Sequence, residues 1–419
     1  MPDPADQDSP DQQGAAQQAT VQRSYLDHAA TTPMVPAAAV ALTAALLQVG
    51  NSSSLHASGR RARALLEDFR ERVAAAVDAH PSEVVFTSGG TEADNLAITG
   101  TYRALTAADP GPWDVVTSAI EHHAVLDTVA ALEDRGARVH HANTRPDGVV
   151  SADAVSAALV DGSAGPPGRV GLVSIMWANN EIGTIAPVRE IAEVARERGA
   201  QVHSDAVQAL GKCPISFRDS GLHLMSVSGH KLGGPMGIGA LLVARDARIA
   251  PVVHGGGQER GLRSGTVPVP LAASFAAALE DVLERRSEEN RRLVGLRDRL
   301  IEGVLGLDLG IRLGGAWTPG SDADRLPGNA HFVVSGCDPD SLMFLLDEAG
   351  VEASTGSACQ AGVPGRSHVL DALGVPTDGP VGVARLTLGH TSTEDDVQRA
   401  VAALATCVPR ARAATGVLR

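Results

Sequence analysis

Of the 35 basic residues in the chain, two are lysines, Lys212 and Lys231, and the others are arginines. A guanidinium stays protonated, so chemistry that needs a neutral amine has only these two side chains to use. Lys231 stands in Ser228-Gly-His-Lys-Leu-Gly-Gly-Pro235, where glycines and a proline block a helix just past an apolar run. That predicts an amine in a turn, within reach of a carbonyl carbon. A loop lysine is ordinarily a plain surface residue; the Ser-x-His-Lys cluster and the scarcity of lysine favour the chemical reading. Lys212, in Gly211-Lys-Cys-Pro214, lacks such neighbours and reads as structural. The second reactive candidate is Cys359, in Ser354-Thr-Gly-Ser-Ala-Cys-Gln-Ala-Gly362. Small residues around it predict an accessible loop in which a thiolate can act as a nucleophile. A small packed hydrophobe is the alternative reading.

Other residues would serve a cofactor. Asp205 closes the strand predicted at 201–205, where a carboxylate can pair with a protonated ring nitrogen or cap a helix. Gln208, one turn later, can donate to a ring oxygen. Thr87-Ser-Gly-Gly-Thr-Glu-Ala-Asp94 offers Gly90 and Thr91 at a helix start, where backbone N–H groups suit a phosphate. His122, in Glu121-His-His-Ala124, can stack on a ring. Arg385, in Ala384-Arg-Leu-Thr-Leu388, is a fork for a carboxylate or one half of an ordinary ion pair.

The elements that must position these groups alternate. Strands are predicted at 83–87, 114–120, 170–176, 201–205, 222–228 and 239–244, with helices after Thr91 and Pro187. Continuous apolar strands separated by helices imply an α/β fold with a mainly parallel central sheet covered on both faces. Ligands in such folds lie at the carboxyl ends of the strands. A charged helix over about 269–305 leads to strands at 329–335, 351–354 and 384–388 and helices at 339–349 and 393–406, a smaller α+β domain.

Composition limits the function classes. A length of 419 residues, 44% apolar and 20% charged, fits two soluble globular domains. A formal charge of -14 argues against a surface built for stable nucleic-acid binding. Four separated cysteines make neither a disulfide framework nor a zinc spacing, and they point to a reducing cytoplasm. Residues 1–23 read as a disordered polar tail without signal-peptide features, and no apolar run is long enough to span a membrane.

Taken together, these segments resemble the cysteine desulfurases of the NifS/IscS type, within the fold-type I pyridoxal-phosphate enzymes. The likeness runs from Tyr25-Leu-Asp-His-Ala-Ala-Thr-Thr-Pro33 to the C-terminal helix. It includes Asn51-Ser-Ser-Ser-Leu-His56, Trp177-Ala-Asn-Asn-Glu-Ile-Gly183, His203-Ser-Asp-Ala-Val-Gln208, Gly255-Gly-Gly-Gln-Glu-Arg-Gly-Leu-Arg-Ser-Gly-Thr266 and Gly356-Ser-Ala-Cys359. It implies pyridoxal 5′-phosphate held covalently by Lys231, with Asp205 on the ring nitrogen and His122 stacked on the ring. Asn180 and Gln208 would flank its oxygen side, and Gly90, Thr91, Ser228 and His230 would surround the phosphate. Thr266 would reach the phosphate of a second subunit, which implies a homodimer. Arg385, with Asn180 beside it, would hold the substrate carboxylate. Lys231 would move the α proton of L-cysteine, Cys359 would take the sulfur as a persulfide, and L-alanine would leave.

The implied large domain spans 41–288, and 24–40 with 289–419 form the small domain. Cys359 lies in the long-loop form of the motif, followed by Gln-Ala-Gly-Val-Pro-Gly-Arg366 where many relatives have Ser or Thr and then an acidic-Pro pair. The sulfur acceptor would be an iron–sulfur scaffold or a tRNA thiolation protein. No stable metal site is expected, although Cys359 could ligate a transient cluster. A selenocysteine lyase, an aminotransferase or kynureninase-like enzyme, and a non-catalytic sulfur-relay scaffold remain as alternatives.

Overall fold

The computed structural model describes residues 23–160, 169–356, 367–376 and 379–417. Cys359, the predicted sulfur acceptor, and all of the predicted tail but Arg23 lie outside them. Arg23 itself pairs with Asp347 and Glu352.

The strands are β1 (Ser24–Tyr25), β2 (Val84–Thr87), β3 (Trp113–Ser118), β4 (Arg138–Ala142), β5 (Arg169–Ser174), β6 (Gln201–Asp205), β7 (Leu224–Ser228), β8 (Gly239–Val243), β9 (Ile311–Leu313), β10 (Asn329–Ser335), β11 (Val351–Glu352) and β12 (Val381–Thr387). β2 to β8 form a seven-stranded sheet in the order β2-β8-β7-β6-β5-β3-β4. Its central pairs are parallel, whereas β8 runs antiparallel to both β2 and β7. β6 and β7 are buried along their whole length. Val202, Leu224, Met225 and Val227 are their apolar positions, while Gln201, His203, Ser204, Asp205, Ser226 and Ser228 are polar yet equally buried.

The first helices are α1 (Pro36–Leu46), α2 (Ala57–Ala76), α3 (Gly90–Ala108), α4 (His123–Glu133), α5 (Ala152–Val160), α6 (Val188–Glu197) and α7 (Phe217–Ser220). α3 lies across β5 to β8, while α6 covers β6 and α5 covers β4. α8 (Val269–Leu305) matches the predicted long helix. Ala272, Phe275 and Leu279 from its first half join the core under the large sheet, and Leu293, Leu296, Leu300 and Ile301 join a second core.

That second core surrounds a three-stranded antiparallel sheet, β12-β10-β9. α9 (Pro339–Glu348) packs on β12 and α8 on β9 and β10, α11 (Glu394–Val417) packs on α8 and α9, and Leu370 of α10 (His368–Ala372) packs with Val333 and Val383. The N-terminal strand joins this region: β1 pairs with β11, and Asp27 bridges to Thr387 on β12. Several elements differ from the sequence expectation. β4 and β9 carry charged side chains along short strands, which hides the apolar pattern. α11 runs past the expected end at 406 and carries Pro409 inside it.

Candidate active site

The carboxyl ends of β6 and β7 bring the predicted cofactor residues together. Asp205 ends β6, and its Oδ1 accepts from the Val207 N–H at 2.9 Å, a turn that fixes the carboxyl group. Burial pushes Asp205 up to about 6, opposed by that hydrogen bond and by the nearby Lys231 charge. Lys231 lies in the turn between β7 and β8. Its Nζ donates to the carbonyls of Ala29 at 2.7 Å and Ala30 at 2.8 Å. Gln208 Nε2 donates to the same Ala29 oxygen at 2.9 Å. Lys212, read as structural, donates to Gln208 Oε1 at 3.2 Å and thereby orients that amide.

The turn holding Lys231 is clasped by the segment between β1 and α1. Thr32 N donates to the His230 carbonyl at 3.0 Å, and Val35 N donates to Gly233 at 2.9 Å. Gly233 has φ +87°, and an added Cβ there would stand 2.9 Å from Val35 Cγ1. A side chain is excluded on both counts. His230 Nδ1 is 3.2 Å from Thr31 Oγ1.

The predicted phosphate cup opens α3. A Cβ on Gly90 would stand 2.6 Å from Val207 Cγ2 and 3.8 Å from Ser228 Cβ, so the helix start, Ser228 and the Asp205 turn pack around a side-chain-free backbone. Thr91 is exposed in the first turn of this helix. His122 caps α4: its Nδ1 accepts from Ala124 N at 3.1 Å. Burial and then the Lys231 charge push it down to about 4, so its ring is neutral at pH 7. Thr91 and His122 line one groove.

Arg385 enters from the other sheet. It lies in mid-strand on β12 and is 4% exposed. Its Nη2 donates to Asp27 Oδ1 at 2.7 Å and its Nη1 to the Asn180 carbonyl at 3.0 Å. Its Nε makes no hydrogen bond among the described residues. Backbone bonds join Arg385 to Ser354, whose Oγ accepts from Gly356 N at 3.1 Å, at the start of the segment that carries Cys359. Thr266, by contrast, is exposed and forms no hydrogen bond within this cluster among the described residues.

Four contributors were not singled out from the sequence. Asp27 and Ala29 sit in the quoted 25–33 motif, which had been given no roles. Glu121 is 1% exposed, accepts from Ser118 Oγ at 2.6 Å and Met176 N at 3.1 Å, and is pushed up to about 8 by burial. Glu181, equally buried, accepts from Ser367 Oγ at 2.6 Å and packs against Gly356, so it touches both described ends of the Cys359 segment. An acid beside the asparagine pair of 177–183 was the available signal for Glu181. The three cysteines within the described residues, Cys213, Cys337 and Cys407, are buried, and burial pushes Cys213 up to about 12. No described group of three or more His, Cys, Asp or Glu side chains is arranged to hold a metal ion.

The residues fit pyridoxal 5′-phosphate on their own geometry: a backbone cup at Gly89–Gly90 without side chains, a buried carboxyl at Asp205, and an amine at Lys231. A family model described as Aminotransferase class-V matches residues 24–400. An IscS-like cysteine desulfurase of Mycobacterium tuberculosis is 52% identical over 392 residues, covering 93% of this chain and 98% of that protein. A cysteine desulfurase IscS of Methanosarcina thermophila is 40% identical, covering 93% and 92%. A solved NifS-like protein superposes with a TM-score of 0.81 at 31% identity, covering 93% of this chain and all of that one. A structure described as SspA in complex with cysteine gives a TM-score of 0.72 at 31% identity, covering 87% and 98%.

Proposed function

The chain belongs to the class-V aminotransferase family, and from that premise we propose that it is a pyridoxal-phosphate-dependent cysteine desulfurase that leaves the sulfur of L-cysteine as a persulfide on Cys359. One observation carries the reading. The Lys231 amine and the Arg385 guanidinium are fastened to one short segment, at Ala29–Ala30 and Asp27 respectively. An amine and a carboxylate fork so close together suit an α-amino acid, and the chain leading to Cys359 starts two residues beyond Ser354, the backbone partner of Arg385.

The cofactor, when bound, supplies an electron sink for the charge that develops on the substrate. Lys231 would attach it and carry the substrate α proton. Asp205 would face the ring nitrogen, His122 the ring face, and Asn180 and Gln208 the oxygen side. Gly90, Thr91, Ser228 and His230 would hold the phosphate. Arg385 would hold the substrate carboxylate through its Nη and unpartnered Nε groups, beside Asn180. As the Cys359 sulfur bonds to the substrate sulfur, the substrate C–S bond breaks. The carbon keeps that electron pair, takes a proton and becomes the methyl group of L-alanine.

We propose further that the enzyme works in the cytoplasm as a homodimer, with Thr266 completing the partner's site. Val40, Leu46, Leu47, Val49 and Leu55 are 63–88% exposed on and after α1, an apolar surface of the kind a subunit interface covers. The persulfide would pass to an iron–sulfur scaffold or a tRNA thiolation protein. Protein loaded with cofactor and given L-cysteine and a thiol reductant should form alanine and sulfide in equal amounts over many turnovers. Loaded protein that forms neither overturns the proposal; a stronger turnover of selenocysteine transfers it to a lyase.

A further inference from the structure

Behind Asp205 lies a second buried acid that the reaction above does not use. Asp94, on the sheet-facing side of α3, is 1% exposed. Its Oδ1 is 3.5 Å from Nε2 of His203 and makes no hydrogen bond among the described residues. His203 stands two residues before Asp205 on β6, on the same face of that strand. Ser226, paired in register with Asp205, hydrogen-bonds His203 Nε2 at 3.0 Å and the Asp94 carboxyl group. The other imidazole nitrogen is 2.8 Å from Ser174 Oγ on β5. His203, Ser174 and Ser226 are fully buried.

Two carboxyl groups in one buried layer cannot both stay ionised at low cost, because neither solvent nor a shared cation screens them. Asp205 has the Val207 N–H and the Lys231 charge to stabilise its anion. Asp94 has neither. The titratable groups that face Asp94 are His203 and Asp205 on β6 and Glu121 at the start of α4, none of them a resident cation. Burial pushes His203 down to about 3, so it is neutral. β8 is apolar throughout, and α4 meets α3 through Val125 and Val129.

We infer that Asp94 is held as a neutral carboxylic acid and is a positioning residue for Asp205, leaving Asp205 the single negative charge at this end of the sheet and tying it through Ser226 and His203 to the strands beneath. Burial, and next the Asp205 charge, move Asp94 well above the usual carboxylate range in the same direction. Ionisation of Asp94 at alkaline pH adds a negative charge behind Asp205, beside that of Glu121, and strengthens the hold of Asp205 on a proton. The inference rests on the proposed function only for what Asp205 faces in the bound enzyme.

Infrared difference spectra between the wild-type protein and Asp94→Asn, each with and without cofactor at neutral pH, read the protonation state directly. The wild type should show the C=O stretch of a protonated carboxylic acid that the variant lacks. Carboxylate stretches in its place overturn the inference. Ser226→Ala, which removes only the hydroxyl between Asp94 and His203, should shift that band without removing it, and it keeps the test open if Asp94→Asn does not fold. In the loaded enzyme the midpoint of the alkaline change in the cofactor's visible absorption should move in Asp94→Asn; an unmoved midpoint refutes the coupling to Asp205. Absence of desulfuration with the acid band present removes the functional reading and leaves Asp94 assigned, whereas a carboxylate signature in an active enzyme does the reverse.

Discussion

The two halves of the candidate site are assembled differently. The cofactor half hangs from turns just past β6 and β7, so Asp205, Gln208, Ser228, His230 and Lys231 fall within 27 residues of one another. The substrate half is made of partners far apart in sequence: Arg385 lies 358 residues from Asp27 and 205 from Asn180. A parallel sheet collects its strand ends on one edge, so neighbouring turns converge there, and the distant Ala29 and Ala30 then fix the Lys231 amine. An arginine in the middle of an antiparallel strand gains a fixed orientation only from groups that the tertiary fold brings to it. The first half should therefore tolerate damage elsewhere, and the second should report on how the two sheets meet.

Lys231→Ala tests the local half most severely. It should abolish turnover and the visible band of the covalently held cofactor, and retention of that band in a purified variant would sink the assignment. Arg385→Ala comes next, with kcat/KM for L-cysteine falling roughly 10- to 100-fold, the worth of a lost charge-assisted hydrogen bond, while cofactor content is unchanged. Asp27→Asn should give a smaller loss of the same kind; equal losses would mean that Asp27 does more than orient the guanidinium.

Ser367→Ala probes the contact between the halves. It removes the cap of α10 and the donor to buried Glu181, so a denaturant titration should show about 1–2 kcal/mol less stability. A pH-dependent effect belongs to Glu121. Burial raises it from 4.5 to about 8, so between those values the folded chain keeps a proton that the unfolded chain has released. Stability therefore falls as pH rises through that window, by up to about 1.4 kcal/mol per unit. Glu121→Gln should flatten the slope of stability against pH between about 5 and 8, while an unchanged slope assigns it to other groups.

The legibility of the chain follows the same division. Lys231 stood out because lysine is so scarce here, and Asp205 because it ends a predicted strand. Most strands of the large sheet could be read because burial on both faces favours apolar residues, as in Val84–Thr87 and Gly239–Val243. β1 was harder: it has two residues, and its pairing with β11 joins positions more than 320 apart. β12 was expected at 384–388 but starts at Val381, since a glycine at 382 weakens the strand pattern. Asp94 and His203 looked like ordinary helix and strand residues because nothing local marks a carboxyl group that turns inward.

What the sequence determined by itself is the chemistry available: one amine in a glycine-rich turn, one cysteine among small residues, a carboxylate at a strand end, and an alternation of elements that sets an α/β fold. Those are properties of residue type and short spacing, which the chain carries in any conformation. Tertiary structure alone decided the partners. It set Ala29 and Ala30 against Lys231, Asp27 against Arg385, Glu181 against Ser367, and Asp94 behind Asp205. Burial then shifted Asp94, Asp205, Glu121 and Glu181 upward and His122 and His203 downward, because desolvation acts on a charge only once the surrounding chain has excluded water.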